Sequence, residues 1–241
     1  MQAHPLTEHA RSNRLIENLP KKERERFVAG CVPVELNLAE IVGEAGKAIR
    51  YVHFPSACFI SLSPSGDPAS FEVALIGDEG MLGLPLALGI EAAHGRALVQ
   101  GGGAALRMSA ARFKVELKRS PALRRTVSRY VFVTMSQLGL AAACNRFHVL
   151  EQRLARWLLM TADRAHSASF SLTQEKLASM LGVRRVGVTK AANDLQGRKL
   201  ISYARGRITI LDRAGLEKVS CGCYQADIDI YEKMFGKAKP N

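Results

Sequence analysis

The pattern of apolar and polar residues divides the chain into segments of different texture. Residues 13–27 have apolar side chains at helical spacing, and Pro20 splits them into two short predicted helices. Residues 32–108 consist of short alternating runs separated by Gly, Pro and Asp. Many short strands at close spacing are typical of an antiparallel barrel or jelly roll. The pattern therefore predicts a small barrel preceded by helices.

Helical spacing returns after Ser109. Pro121 suits the first turn of a long helix predicted over residues 121–145. The apolar face of this helix comprises Leu123, Val127, Tyr130, Val131, Thr134, Leu138, Ala141 and Ala142. Such a face needs a covering surface. We expect the same helix of a second copy of the chain to supply it, with the barrel as the alternative. A further amphipathic helix is predicted over residues 149–165.

Residues 171–195 match a helix-turn-helix position by position. Thr173 offers an oxygen atom that can cap the first helix, and Gly182 suits a turn with positive φ. The residues predicted to face inward are Leu177, Leu181, Val188 and Leu195. This anchoring would hold the two helices against each other and leave the opposite face of the second helix outside.

The outward face of the second helix is the candidate DNA-reading surface. Its predicted members are Arg184, Arg185, Val186, Thr189, Lys190 and Asn193. Arginine can bond to guanine in the major groove, and valine can contact a thymine methyl group. Lys190 and Asn193 could equally contact phosphate, which positions the protein without reading the sequence. Residues 200–210 alternate around Arg205-Gly206, which predicts a hairpin wing whose Arg205 and Arg207 contact phosphate. Thr173, at the start of the first helix, is the remaining predicted DNA-binding residue.

The charge of the chain supports a polyanionic partner. Its 241 residues include 34 Lys and Arg against 22 Asp and Glu, which gives a formal net charge of +12. Residues 146–213 contain 13 basic and five acidic residues, so this segment carries +8. A positive field of this kind attracts nucleic acid or anionic membrane. Concentration of the charge in the helix-turn-helix segment favours double-stranded DNA.

The sequence predicts a cytoplasmic location. Residues 1–25 are polar and lack the apolar region of a signal peptide. The longest apolar run, residues 81–90, is too short to cross a bilayer. Five widely spaced cysteines are expected to be reduced thiols. We expect no membrane partner.

In these features the chain resembles the Crp/Fnr family of bacterial regulators. The resemblance rests on residues 13–20, 44–46, 51–55 and 71–83, and above all on the helix-turn-helix. It implies an α+β fold with a cyclic-nucleotide-type jelly-roll barrel (double-stranded β-helix) at residues 1–118, a dimerisation helix at 119–147 and a winged helix-turn-helix at 148–241. It further implies a homodimer on a two-fold-symmetric DNA site, with RNA polymerase as a partner.

The resemblance also shows departures from the family pattern. Arg185 and Lys190 match the two basic residues of the family's recognition helix, but Val186 replaces the acidic residue that commonly follows the first. We therefore assume no operator sequence. Gly83 precedes Leu84 where a Gly-Glu pair is expected.

The phosphate-binding triplet is altered as well. The family pattern is Arg-Ser/Thr-Ala, but here Arg96 directly precedes Ala97. A strand residue shifted by one position points to the opposite face of the sheet, unless a bulge restores its direction. Gly83, Arg96 and Ala97 are thus weak candidates for effector binding. We expect the barrel not to bind a cyclic nucleotide, and we predict no other cofactor.

No metal site and no catalytic residue are predicted. Cys221 and Cys223 are close in sequence, but a pair without two further ligands is weak evidence for zinc. Cys144 is expected to be a buried apolar thiol, with an intersubunit disulfide under oxidation as the alternative. His53 and His148 are expected to be structural residues.

Two other classes of protein remain open. A cupin-like metalloenzyme would need His53 and His94 to converge inside the barrel. A nucleotide-sensing module whose basic segment binds membrane or RNA would need no specific reading of bases. Charge reversal at Arg184, Arg185 and Lys190 distinguishes this module from a DNA-binding regulator.

Overall fold

The computed structural model describes residues 12–64 and 72–237, and its N-terminal part is a barrel of antiparallel strands. Helices α1 (Arg14–Glu17) and α2 (Lys21–Val28) precede it. Its strands are β1 (Val32–Leu36), β2 (Ile41–Gly43), β3 (Tyr51–Pro55), β4 (Phe59–Pro64), β5 (Ala74–Ile76), β6 (Gly95–Gly101) and β7 (Gly103–Ser109), with a 3₁₀ helix at Leu84–Leu88. The sheet orders are β1–β7–β3 and β2–β6–β4–β5. The predicted jelly-roll barrel is confirmed; Phe71, the first residue of the 71–83 segment that resembles the family, lies outside the described residues.

Alternation along the strands builds the barrel core. Ile60 and Val99 are fully buried between the sheets. A second cluster joins the barrel to its flanking helices, where Phe27 packs edge-on against Phe54 at 5.3 Å between ring centroids. Phe113, in helix α3 (Ala110–Arg119), completes this aromatic group. The flanking helices therefore belong to the barrel core.

The long predicted helix is α4 (Pro121–Phe147), which begins after an N-cap at Ser120. The N-terminal half of its predicted apolar face packs on the barrel, since Leu123, Val127 and Tyr130 are buried in the barrel-side cluster. The barrel thus covers this half of the predicted face, as the alternative interpretation allowed. Farther along, Phe132 and Met135 are 54% and 67% exposed.

The C-terminal part is a winged helix-turn-helix, as predicted. Its elements are α5 (Leu150–Ala165), β8 (Ser169–Ser171), α6 (Gln174–Leu181), α7 (Arg185–Gly197), β9 (Ile201–Ala204), β10 (Arg207–Ile210), α8 (Arg213–Val219) and α9 (Cys223–Phe235). Strands β8, β10 and β9 form a separate antiparallel sheet in that order. One apolar cluster, which includes Leu154, Leu177 and Leu195, holds this part together.

Helix α9 leaves this cluster and packs along α4 toward the barrel. The hydroxyl of Tyr231 donates a hydrogen bond to the carbonyl oxygen of Glu79 at 2.9 Å. The guanidinium of Arg14 lies 4.4 Å from the centre of the Tyr231 ring. Phe235 packs against the barrel-side cluster. The chain therefore crosses between barrel and winged helix twice, through α4 and through α9.

Buried polar contacts join the barrel to α5. Arg164 forms an ion pair with Glu79 at 2.9 Å and donates to the carbonyl oxygen of Leu75 at 3.2 Å. Trp157 Nε1 donates to Glu72 Oε1 at 3.0 Å, and Glu72 Oε2 is buried as well. Burial raises the pKa of Glu72 to about 7. A desolvated carboxyl group therefore lies at the contact between the barrel and the winged helix.

Among the described residues, no helix combines the length and the hydropathy needed to cross a membrane.

Replacement of Glu72 by Gln should remove a pH dependence of stability. The folded-state pKa of about 7 exceeds the ordinary value of 4.5. The folded chain therefore holds this proton more tightly than the unfolded chain, and the contribution is lost as pH rises through about 7. Between about pH 5 and 8 we expect Glu72→Gln to gain roughly 3 kcal/mol relative to wild type. Denaturant unfolding across this range, followed by fluorescence of the single tryptophan, measures it. Parallel pH profiles for the two proteins would contradict this assignment.

Candidate nucleic-acid interface

Local sequence chemistry fixes the turn between α6 and α7. The side chain of Thr173 accepts a hydrogen bond from the backbone N–H of Lys176, which caps α6. Gly182 ends this helix at φ +63°, a left-handed conformation that glycine adopts at little cost. The backbone N–H of Val183 then donates to the carbonyl oxygen of Ala178 at 3.0 Å. The predicted turn at Gly182 is confirmed.

The buried face of α7 consists of Val188, Ala191, Ala192 and Leu195, at the 3–4-residue spacing of one helical face. All are at most 5% exposed and belong to the same cluster as Leu177 in α6. The two alanines leave little side chain between the helices. The opposite face of α7 must therefore point to solvent.

Five of the six predicted reading residues lie on that solvent face. Arg184, Arg185, Val186, Lys190 and Asn193 are exposed, with Val186 at 80%. Within the described part of the chain, Arg184, Arg185 and Lys190 make no side-chain hydrogen bond or ion pair. Their cationic groups are thus available to an external partner. We call these five exposed residues the α7 surface. Arg184 is the N-cap residue of α7, and Arg185 and Val186 lie in its first turn.

Thr189 occupies a different position from the one predicted. It is half-buried, and its hydroxyl lies 2.9 Å from Gln174 Oε1 and 3.1 Å from the carbonyl oxygen of Arg185. It therefore links α6 to α7 at the edge of the α7 surface. Gln174, which sequence reasoning did not select, enters the site through this contact.

The predicted wing is present. Arg205 and Gly206 connect β9 to β10 with φ values of +50° and +74°, as in a type I′ turn. Arg205 is exposed at the tip. Arg207 is also exposed, but its Nε donates to Ser169 Oγ at 2.9 Å. The backbone N–H of Leu172 donates to the carbonyl oxygen of Gly206 at 2.7 Å, which holds the tip beside the start of α6.

Internal ion pairs neutralise part of the positive charge of residues 146–213. Four bases of this segment form such pairs: Arg156 with Asp227, Arg164 with Glu79, Arg198 with Glu151, and Arg213 with Asp163. The positive charge left for a partner is therefore concentrated on α7 and the wing. Sequence counting could not separate these two groups.

The fold and this surface define a winged helix-turn-helix protein with an N-terminal barrel. Residues 152–219 match the family model described as the Crp-like helix-turn-helix domain. The predicted resemblance to the Crp/Fnr family is confirmed by this match of the C-terminal domain and by the shared fold of solved Crp/Fnr regulators. Comparison with curated protein sequences gives no significant match.

Solved structures share the fold of about four fifths of the chain. A transcriptional regulator of the CRP family from Thermus thermophilus is 20% identical with a TM-score of 0.65, over 78% of this chain and 96% of that one. FixK2 from Bradyrhizobium japonicum is 13% identical with a TM-score of 0.66, over 79% and 98%. The c-di-GMP responsive global regulator CLP from Xanthomonas campestris is 13% identical with a TM-score of 0.65, over 79% and 99%.

The weak effector residues do not converge on one face of the barrel. Arg96 is exposed and pairs with Ser63, whereas its neighbour Ala97 is 2% exposed and pairs with Leu62. A bulge lies between β2 and β6, but the register with β4 stays regular at these residues, so Arg96 points outward as its position predicts. Gly83 adopts φ +104°, and a Cβ there would contact Val52. The expected loss of cyclic-nucleotide binding stays a prediction.

Histidines inside the barrel do not form a metal site among the described residues. His53 is buried, His94 is exposed, and neither belongs to a cluster of three or more ligating side chains. Burial lowers the pKa of His53 to about 4, which keeps its ring neutral. This arrangement gives no support to a cupin-like enzyme.

Sequence reasoning missed the surroundings of Cys221 and Cys223. The expectation that this pair lacks further ligands nearby is wrong, because Cys144 and His148 lie beside it. Cys144 is buried within its own chain at 2% exposure, as expected, and this burial does not fit the alternative of an intersubunit disulfide. Cys144 lies in the last turn of α4 and His148 is its C-cap residue, so their four-residue spacing was the local signal in the sequence.

Two glycine-to-alanine substitutions should change the free energy of unfolding in opposite directions, because one lies in the wing turn at positive φ and the other in a helix. Gly206→Ala places a Cβ at φ +74°, where its only close neighbour is Thr173 at 3.9 Å, so the cost is conformational. We expect a loss of about 1–2 kcal/mol. Gly197→Ala lies in α7 with nothing within 4 Å, and should gain up to about 1 kcal/mol. Denaturant unfolding measures both; changes of the same sign would contradict the turn assignment.

Proposed function

We propose that this chain is a sequence-specific DNA-binding transcription regulator of the Crp/Fnr type that acts as a homodimer. The observation that carries the proposal is the exposure of Arg184, Arg185 and Lys190 on α7. These residues begin the helix that enters the major groove in helix-turn-helix proteins. Thr173, Val186 and Asn193 add polar and methyl contacts, and Thr189 orients the helix from its edge.

The wing supplies contacts to the DNA backbone. Arg205 projects from the tip of the hairpin next to the start of α6. Contacts to phosphate position a protein on the duplex without reading its sequence. We assign Arg205 and Arg207 to phosphate contacts, and the α7 surface to base reading. Because Val186 replaces the acidic residue common in the family, the proposal does not extend to the family's usual half-site.

An exposed apolar face on α4 supports the homodimer. Phe132, Met135 and Leu138 are 54%, 67% and 39% exposed, and Gly139 has open space around it. Large apolar side chains on one helical face mark an interaction surface. A two-fold copy of α4 covers this face in our proposal, which places two α7 helices on successive major grooves.

The remaining parts of the proposal follow the family. The chain would work in the cytoplasm, contact RNA polymerase and have no enzymatic activity. Its barrel would transmit an effector signal other than a cyclic nucleotide, because Arg96 faces away from the barrel interior. CLP of Xanthomonas campestris is c-di-GMP responsive, so effectors differ among proteins of this fold.

Charge reversal on α7 tests DNA reading. Arg184→Glu with Arg185→Glu should weaken binding to a duplex selected by the wild-type protein by roughly 100-fold, because base and phosphate contacts are lost together. The matched control is Lys21→Glu with Lys22→Glu, an adjacent exposed pair on α2. This control changes the net charge by the same amount but leaves the α7 surface intact, so it should alter affinity only a few-fold. Fluorescence anisotropy measures both.

Equal losses in the two double variants would contradict the proposal. Binding would then follow total charge, as expected for the rival module that binds membrane or RNA. Vesicles with anionic lipid and a single-stranded RNA serve as the competing ligands. Stronger competition from either than from the selected duplex would favour that rival.

A charged substitution on α4 tests the dimer. Met135→Glu should convert a dimer into a monomer in analytical ultracentrifugation, because a carboxylate cannot be buried unpaired in an apolar interface. Val115→Glu, at an apolar residue of α3 that is 59% exposed, is the control and should leave the assembly unchanged. A wild-type monomer, or a Met135→Glu dimer of undiminished stability, would contradict the proposed interface.

A further inference from the structure

Four potential metal ligands meet where α4 ends and α9 begins. Cys144 and His148 lie at the C-terminal end of α4, and Cys221 and Cys223 lie at the start of α9. Their ligating atoms all lie within 4.8 Å of one another. Cys144 Sγ is 3.4 Å from Cys221 Sγ, and Cys223 Sγ is 3.6 Å from His148 Nδ1.

Two of these separations are close to the edges of a metal-centred tetrahedron. Zinc–sulfur bonds of about 2.3 Å and zinc–nitrogen bonds of about 2.0–2.1 Å place neighbouring ligand atoms roughly 3.5–3.8 Å apart. The two measured edges, 3.4 and 3.6 Å, are close to that range. A disulfide would need a sulfur–sulfur distance of about 2.05 Å and would use only two of the four groups. All three thiols are free in the structure.

Ordinary core packing does not account for the cluster. Cys144, Cys221 and Cys223 are 2%, 4% and 8% exposed, yet they form a cluster of their own, separate from the cores of the barrel and the winged helix. Two features of the chain direct the side chains to one point. Cys144 lies in the last turn of α4, and His148 is the C-cap residue, whose backbone N–H donates to the carbonyl oxygen of Cys144 at 3.1 Å. Cys221 and Cys223 flank Gly222, the N-cap residue of α9, whose helical φ and ψ of −56° and −12° start that helix.

The charge around the cluster suits a zinc–thiolate centre. Three thiolates and one neutral imidazole around Zn²⁺ carry a net charge of −1. Arg153 and Arg156 interact electrostatically with Cys144 and Cys221. Arg156 is held in place by an ion pair with Asp227 at 2.6 Å. Such outer partners orient ligands and balance charge at metal sites.

We propose that Cys144, His148, Cys221 and Cys223 bind one Zn²⁺ ion in a closed tetrahedral site. Three sulfurs and one imidazole nitrogen are a ligand set typical of structural zinc, and no position is left open for a substrate. The ion joins the end of α4 to the start of α9, on either side of the Crp-like domain at residues 152–219. It therefore fixes the connection between α4 and α5, at which the winged helix is oriented relative to the dimer face.

The metal site itself does not depend on the proposed DNA-binding function. The influence of the metal on DNA affinity does depend on that function. Without the metal, a mobile connection between α4 and α5 would no longer hold the α7 surfaces of two subunits at a fixed spacing. The first measurements therefore detect metal without DNA, so that a failure of either proposal can be recognised separately.

Metal content of the full-length protein is the direct test. Protein purified without chelator and under reducing conditions should contain about one zinc per chain by mass spectrometry of the metal, as a four-ligand site predicts. Cys223→Ser and His148→Asn should each lower that content severalfold. Cys31→Ser, which changes a thiol outside the cluster, is the matched control and should retain the wild-type content.

Cobalt provides a second readout that does not depend on the variants being well folded. Co²⁺ added to chelator-treated wild-type protein should give the intense visible bands of a tetrahedral site, together with thiolate-to-cobalt charge-transfer absorption. Zn²⁺ should abolish both signals at stoichiometric concentration. Six-coordinate spectra, or no uptake, would overturn the proposal. If the chelated chain does not recover its fold, the metal content of the purified wild-type protein alone decides.

Other results would also overturn it. These are a native Cys144–Cys221 disulfide in metal-free protein purified under reducing conditions, or equal zinc in wild type and Cys223→Ser. If the site is present, its removal by Cys223→Ser should weaken binding of the selected duplex more than Cys31→Ser does. Loss of metal without loss of affinity would leave the ion bound but refute its role in orienting the winged helix.

Discussion

Burial of one face of α7 is the constraint on which the rest of the molecule depends. Val188 and Leu195 are fully buried against α5 and α6, and the turn at Gly182 sets the crossing. Once that face is covered, helical geometry leaves Arg184 and Arg185 no direction except outward. Exposed arginines at the start of such a helix can reach bases in the major groove. The same apolar packing that stabilises the domain thus creates its charged surface.

The position of that surface depends on how the domain is attached. Arg164 reaches from α5 to Glu79 in the barrel, and Trp157 reaches to Glu72. These buried polar contacts have strict geometry, because breaking one leaves an uncompensated charge or donor in a dry environment. Helix α9 adds a second connection, from the cysteine cluster at one end to Tyr231 beside the barrel at the other. A change in the barrel would therefore be transmitted through few, directional contacts.

Much of this fold could be predicted from the sequence, because local patterns encode it. The turn at Gly182 and the tip at Arg205-Gly206 follow from backbone chemistry, and the inward residues follow from helical spacing. Contacts between distant segments could not be predicted. The pairing of Arg164 with Glu79 removes a base from the apparent DNA-binding charge, and the meeting of Cys144 with Cys221 spans 77 residues. Periodicity carries no information about which distant segments pack together, so these contacts become visible only in the three-dimensional structure.

The central claim is that two outward-facing α7 helices read one two-fold-symmetric DNA site. Selection of bound duplexes from a random-sequence library by the purified wild-type protein tests it most directly. The account predicts enrichment of an inverted repeat whose half-sites lie about one helical turn, roughly 10 base pairs, apart. Binding of the selected site should also weaken steeply with added salt, because phosphate contacts release counterions. A library that remains unenriched after repeated rounds, or one dominated by asymmetric sequences, would contradict the account.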